Sequence, residues 1–263
     1  NTGLTAQDVS SLLWFDGQFL AGAADGLWRS FDKGANWFPG FPQGQLAGTR
    51  DFQRTGDTLC AVTTGNFFYS TDDGDSWVAP YIPGSGSNID FFNLEALVVS
   101  GNNVILGGQD LYGSNDFGAS WQERSSFVRI SDMQHAGGYD FALAYWDGVM
   151  RSDDQGDSWQ VVKNGIVGEG RLFYQNQTLF ASTDVETFYS TDLGQSWKTP
   201  AGIPVYGSGN NLLPIGGMAA NDSVLFAAVD YAGIYQSTDG GANWTLFSAD
   251  LPNNRFNDML LLD

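Results

Sequence analysis

One cysteine, one histidine and three lysines are all this 263-residue chain holds of three residue types on which much protein chemistry depends. With Cys60 alone, no disulfide can close within the chain and no zinc site can be built from thiolates. Cys60 lies in the apolar run Leu59-Cys60-Ala61-Val62 and reads as a core thiol. His135 would have to serve any Ser-His-Asp relay or imidazole metal site by itself. It falls at Gln134-His135-Ala136-Gly137-Gly138, which reads as a turn after a strand. Neither a metal nor a cofactor is expected. Positive charge is scarce: 11 Lys and Arg stand against 30 Asp and Glu, for a net charge of -19. Nucleic-acid binding rests on cations that neutralise phosphates, so no nucleic-acid partner is expected, and an anionic membrane surface fits no better. No apolar run approaches the ~18 residues that a membrane-spanning helix needs. The chain opens Asn1-Thr2-Gly3-Leu4, without initiator Met or basic leader, and reads as a processed start.

What the chain has in abundance is glycine, with 34 residues, and aromatics at 14%. Together they favour many short strands joined by tight turns over helices. The decisive feature is an octapeptide that recurs six times. Its copies are Ser30–Trp37, Ser70–Trp77, Ser114–Trp121, Ser152–Trp159, Ser190–Trp197 and Ser237–Trp244, and all read S-x-D-x-G-x-[SN]-W. Successive copies start 40, 44, 38, 38 and 47 residues apart. A period near 40 marks repeats that cannot bury their own faces singly and must stack.

The octapeptide resembles the Asp-box, or BNR, repeat of sialidase-like β-propellers, and the resemblance covers nearly the whole chain. It implies that each box is the hairpin between the third and fourth strands of a blade. The glycine suits the positive φ of such a turn and the aspartate can accept from backbone N–H groups across it. The tryptophan begins the outer strand and packs between blades. Asp32, Asp72, Asp116, Asp154, Asp192 and Asp239, with Trp37, Trp77, Trp121, Trp159, Trp197 and Trp244, are therefore expected to be structural. The expected fold is all-β: a six-bladed propeller of four-stranded antiparallel blades. It forms one domain over 1–263, with blades at 4–41, 50–82, 94–126, 128–166, 170–200 and 212–250. The remainder, 255–263, reads as an extra closing strand; a seven-bladed propeller cut within its last blade is the alternative.

First strands are expected at Val9-Phe15, Asp51-Arg54, Leu94-Val99, Val128-Gln134, Arg171-Tyr174 and Pro214-Ala219. The hairpins between second and third strands carry Asp25, Asp110, Asp147, Asp184 and Asp230, on the side opposite the boxes. One reading is turn chemistry, since such hairpins favour Asp. The other is an acidic ligand face, deepened by Asp51, Glu95 and Asp132 and joined by Tyr81 and Tyr206 in long loops.

Sialidases, which share the box, bind their substrate's carboxylate with three arginines, and here only Arg50, Arg129 and Arg171 begin first strands. Glu169 and Tyr174 lie near them in sequence, but the Arg-Ile-Pro motif of that family is absent before the first box. Xyloglucanase-type relatives use two propellers facing across a cleft, of which this chain supplies one. No catalytic residue is assigned. The reading is a secreted, non-catalytic module of a larger extracellular or cell-surface protein, with a periplasmic setting as the variant. It binds a glycan or an extracellular protein, a basic segment included; glycoside hydrolysis is the alternative. Asn176, Asn221 and Asn243 head glycosylation sequons by pattern.

Overall fold

A computed structural model describes residues 3–4, 9–40, 46, 48–80, 93–125, 128–204, 212–249 and 255–261. Tyr81 and Tyr206 lie outside the described residues. The chain forms two compact units, residues 1–127 and 128–263. Each contains three antiparallel sheets in which consecutive strands are neighbours, and among the described residues there is no helix. These six sheets are the blades of a six-bladed β-propeller, as expected.

In the first unit, blade 1 is β1 (Val9–Phe15), β2 (Gln18–Ala23), β3 (Gly26–Ser30) and β4 (Phe38–Pro39). Blade 2 is β5 (Thr49–Thr55), β6 (Thr58–Thr63) and β7 (Asn66–Ser70). Blade 3 is β8 (Ala96–Ser100), β9 (Asn103–Gly107), β10 (Leu111–Ser114) and β11 (Gln122–Ser125). In the second unit, blade 4 is β12 (Ile130–Ala136), β13 (Tyr139–Ala144), β14 (Gly148–Ser152) and β15 (Gln160–Lys163). Blade 5 is β16 (Gly170–Gln175), β17 (Thr178–Thr183) and β18 (Thr187–Ser190). Blade 6 is β19 (Ile215–Ala220), β20 (Leu225–Val229), β21 (Gly233–Ser237) and β22 (Thr245–Ser248).

Two blades depart from the expected four strands. After the box tryptophans of blades 2 and 5, the fourth strand shrinks to single bridges, Tyr69 with Val78 and Tyr189 with Lys198. Proline explains the difference. Pro80 and Pro200 follow those tryptophans by three residues, and Pro39, two residues after Trp37, ends the two-residue β4. Proline has no N–H to give a ladder. The three boxes followed by no proline at these positions lead into four-residue strands, β11, β15 and β22.

Burial follows the order of strands. Every residue of β2, β9 and β17 is buried, whereas β22 is largely exposed. Small residues admit the next blade: a Cβ on Gly22 would lie 2.7–2.9 Å from Thr49 and Phe52 side-chain atoms. Among the described residues, first strands stand at the edges of their sheets, and backbone groups on the unpaired edge need other partners. Side chains from the preceding blade supply them. Gln53 of β5 accepts from Val99 N at 2.9 Å and donates to Leu97 O at 2.8 Å. Ser182 accepts from Ile215 N at 2.9 Å.

The terminal segment 255–261 forms no strand ladder. It lies against β19, where Gly216 and Gly217 make room. A Cβ on Gly216 would fall 1.6 Å from Phe256 O, and one on Gly217 2.6 Å from Met259 N. Its Asp258 accepts from Met259 N at 2.8 Å, as Asp51 does from Phe52 N and Asp132 from Met133 N. The segment thus repeats a first-strand motif without pairing as a strand.

Candidate functional site

The six boxes share one hydrogen-bond plan. The box serine is buried, its hydroxyl donating to the aspartate Oδ1 and accepting from the glycine N–H. In the fourth box these distances are both 2.8 Å. The aspartate then receives two further bonds from the Ser or Asn before the tryptophan. Ser158 N reaches Asp154 Oδ1 at 2.8 Å and its hydroxyl reaches Oδ2 at 2.6 Å. Trp159 Nε1 closes the loop on Gly156 O at 3.1 Å, and Trp37, Trp77, Trp197 and Trp244 do the same in their boxes. Asp72, Asp154, Asp192 and Asp239, so supplied with donors, have carboxyl pKa values lowered to about 2. Asp32 and Asp116 shift the same way, led by the backbone N–H of Asn36 and the hydroxyl of Ser120 respectively. The residue before each box glycine also has positive φ, from Leu193 at 55° to Gly240 at 73°. Two successive left-handed residues form a tight hairpin turn, so the glycine is only half of what the turn demands.

The hairpin carboxylates on the opposite side divide into three kinds. Asp25 is exposed but accepts from Trp28 Nε1 at 3.0 Å, and Asp110 lies 3.4 Å from the Tyr112 hydroxyl. Both serve their own hairpins. Asp147 and Asp184 are exposed at hairpin tips of the second unit. Asp230 is buried, accepts from Phe256 N at 2.9 Å, and has its pKa raised by burial despite the bond and the nearby Arg255 and Arg171. Among the described residues, no three Asp, Glu, His or Cys side chains form a group able to hold a metal.

Asp51 and Asp132 do not extend an acidic face. Each carboxylate bridges two blades, with Asp51 Oδ2 accepting from Leu97 N at 3.3 Å and Asp132 Oδ2 from Leu172 N at 2.7 Å. Burial lifts Asp132 to about 6, opposed by Arg171 and its two backbone donors and reinforced by Asp258. The three first-strand arginines are engaged by acids. Arg50 lies 3.5 Å from Glu95, Arg129 pairs with Glu169, and Arg171 faces Asp132. Cys60 is buried and its thiol is pushed up to about 12, as expected of a core residue. The His135 ring accepts or donates at Nδ1 to the buried Asp140 at 2.7 Å.

Three residues on the hairpin side escaped the sequence reading. Trp146 is 65% exposed, the highest value among the exposed large apolar side chains described. Its ring meets Tyr145 edge-on at 4.4 Å between centroids. Tyr231, next to Asp230, is half exposed and accepts from Arg255 Nε at 3.0 Å. A signal existed. Of the nine tryptophans six belong to boxes, Trp28 is buried and Trp14 packs on Phe19; Trp146 sits in the turn before Asp147-Gly148.

Comparison with known proteins places this geometry. The BNR/Asp-box repeat model matches residues 188–199, within the fifth blade. A xyloglucanase of Paenibacillus sp is 28% identical over 196 residues, a stretch covering 69% of this chain but 17% of that protein. The GH74 xyloglucanase of Xanthomonas campestris superposes with a TM-score of 0.70 at 20% identity, covering 93% of this chain and 46% of that one. The extracellular domain of a putative one component system from B. thetaiotaomicron gives 0.71 at 14% identity, covering 97% and 36%. This chain thus spans less than half the length of each of these proteins, and the structural likenesses show the fold alone. Six boxes of one design, one of them matched by the family model, on a six-bladed propeller make the chain similar to the Asp-box (BNR) repeat β-propellers.

Proposed function

We propose that residues 1–263 act as a non-catalytic binding module of a secreted or cell-surface protein, recognising a glycan or a protein through the hairpin side of blades 4 to 6. One observation carries this reading. Successive hairpins of the second unit present exposed polar and aromatic groups: Trp146 and Asp147, then Asp184, then Tyr231. Exposed side chains on loops held by a rigid scaffold are the usual place for recognition. The acid–arginine pairing supports a non-sialidase reading, since Arg50, Arg129 and Arg171 already face carboxylates of the chain. The extracellular setting draws support from the likeness to an extracellular domain.

The test is a binding panel of soluble neutral polysaccharides, xyloglucan among them, and an oligolysine peptide. Saturable binding of one class, weakened in Asp147→Asn/Asp184→Asn, is expected. Failure of wild type to bind any of them would sink the reading.

A second reading, part of a glycoside hydrolase, has its own support. The Paenibacillus relative bears the name xyloglucanase, and Asp230 is a buried hairpin carboxyl with a raised pKa, as an acid/base group requires. Release of new reducing ends from xyloglucan, abolished in Asp230→Asn, would replace the first reading with this one.

A further inference from the structure

We infer that Trp146 and Tyr145 form a stacking platform for the apolar face of a neutral pyranose, and that Glu169 and Asp147 beside it accept hydrogen bonds from sugar hydroxyls. The inference rests on the binding-module reading and names its ligand class and its central residue.

The platform is built rather than incidental. Residues 145–147 form the turn between β13 and β14, whose ladder closes at the pair Ala144–Gly148. The backbone of Tyr145 is held from two sides: its N–H donates to Arg129 O at 2.9 Å, and its carbonyl accepts from Gly168 N at 3.2 Å. Arg129 then lies over the Tyr145 ring, 4.3 Å from guanidinium carbon to centroid, and pairs with Glu169. Tyr145 is thus fixed by its backbone bonds and by the cation on its ring, and Trp146 rests edge-on against it. The indole remains 65% exposed. No other blade has a tryptophan in this hairpin: the corresponding turns carry Ala24-Asp25, Thr64-Gly65, Gln109-Asp110, Asp184-Val185 and Asp230-Tyr231. Blade architecture therefore does not require it.

The chemistry around the ring selects the ligand. An indole face offers a large, rigid apolar surface to C–H groups, with little entropy lost on binding. Glu169 and Asp147 are exposed acceptors, and Asp184 lies against Gly168, where a glycine Cβ would come 2.3 Å from its Oδ1. Such acceptors suit hydroxyl donors, and with a chain charge of -19 they repel anionic glycans. A basic peptide fits less well, because Arg129 already occupies the Tyr145 ring against which the indole rests.

The experiment titrates the full chain with soluble xyloglucan, and separately with an oligolysine peptide, following heat and tryptophan fluorescence. Trp146→Ala should weaken xyloglucan binding about tenfold, the scale of one lost stacking contact. Trp146→Phe should recover part of the loss, and the melting temperature of both variants should equal that of wild type. The inference is overturned if Trp146→Ala binds xyloglucan as wild type does, if wild type binds no xyloglucan, or if oligolysine is the ligand lost with Trp146. Retained binding in Trp146→Ala would leave the broader binding-module reading standing, so the two failures are distinguishable.

Discussion

The box aspartates and Asp132 are the same residue in opposite circumstances. The box carboxylates stand at the edge of each blade, largely in water, yet three local hydrogen-bond donors each hold them ionised to about pH 2 in Asp72, Asp154, Asp192 and Asp239. Asp132 lies between blades 4 and 5 with two backbone donors, and burial raises it to about 6. Donor count outweighs exposure in the first case, and desolvation outweighs two hydrogen bonds and an arginine in the second. A carboxylate's place in the repeat therefore says more about its chemistry than its residue type does. The six copies do one mechanical task, while charges departing from the repeat need separate accounts.

The sharpest break of this contrast lies in the box turn. Gly241→Ala would place a Cβ 2.3 Å from Phe180 Cζ at a φ of +91°. Left-handed strain and overpacking together should cost about 3 kcal/mol, measured by urea unfolding. Next comes Ser152→Ala, which removes the acceptor of Gly156 N–H in a buried position. A loss of about 1–3 kcal/mol is expected, with ligand binding unchanged in the folded fraction.

The pH dependences should have opposite signs. Folded-state box pKa values lie below the ordinary 3.8, so their stabilisation is present above pH 3.8 and is lost as pH falls towards 2. Asp154→Ala should shallow that acid limb. The folded Asp132 carboxyl lies above 3.8, so the folded state binds more protons between about pH 4 and 6, and stability from this group falls as pH rises through that window. Asp132→Asn should flatten the melting-temperature profile there; an unchanged slope would contradict the burial account. The smallest effect on stability belongs to Asp147→Asn/Asp184→Asn, whose melting temperature should match wild type while xyloglucan affinity falls.

Much of this was legible in the chain. The box announces its turn, its caps and its tryptophan because the hydrogen bonds that define it are local, within eight residues. Even the shortened outer strands follow from Pro39, Pro80 and Pro200, although the repeat alone suggests six equal blades. The bridging role of Asp51 and Asp132 was not legible, because their partners Leu97 and Leu172 lie 46 and 40 residues away. Asp25 looked like a surface acid until Trp28 claimed it. Trp146 was hidden among eight other tryptophans whose contacts are structural or internal, and only its exposure sets it apart.

The division between scaffold and recognition is tested most directly by measuring melting temperature and xyloglucan affinity together for Ser152→Ala and Trp146→Ala. The account predicts that Ser152→Ala melts lower and binds as wild type, whereas Trp146→Ala melts as wild type and binds about tenfold more weakly. Loss of affinity in Ser152→Ala at wild-type melting temperature, or full affinity in Trp146→Ala, would contradict it.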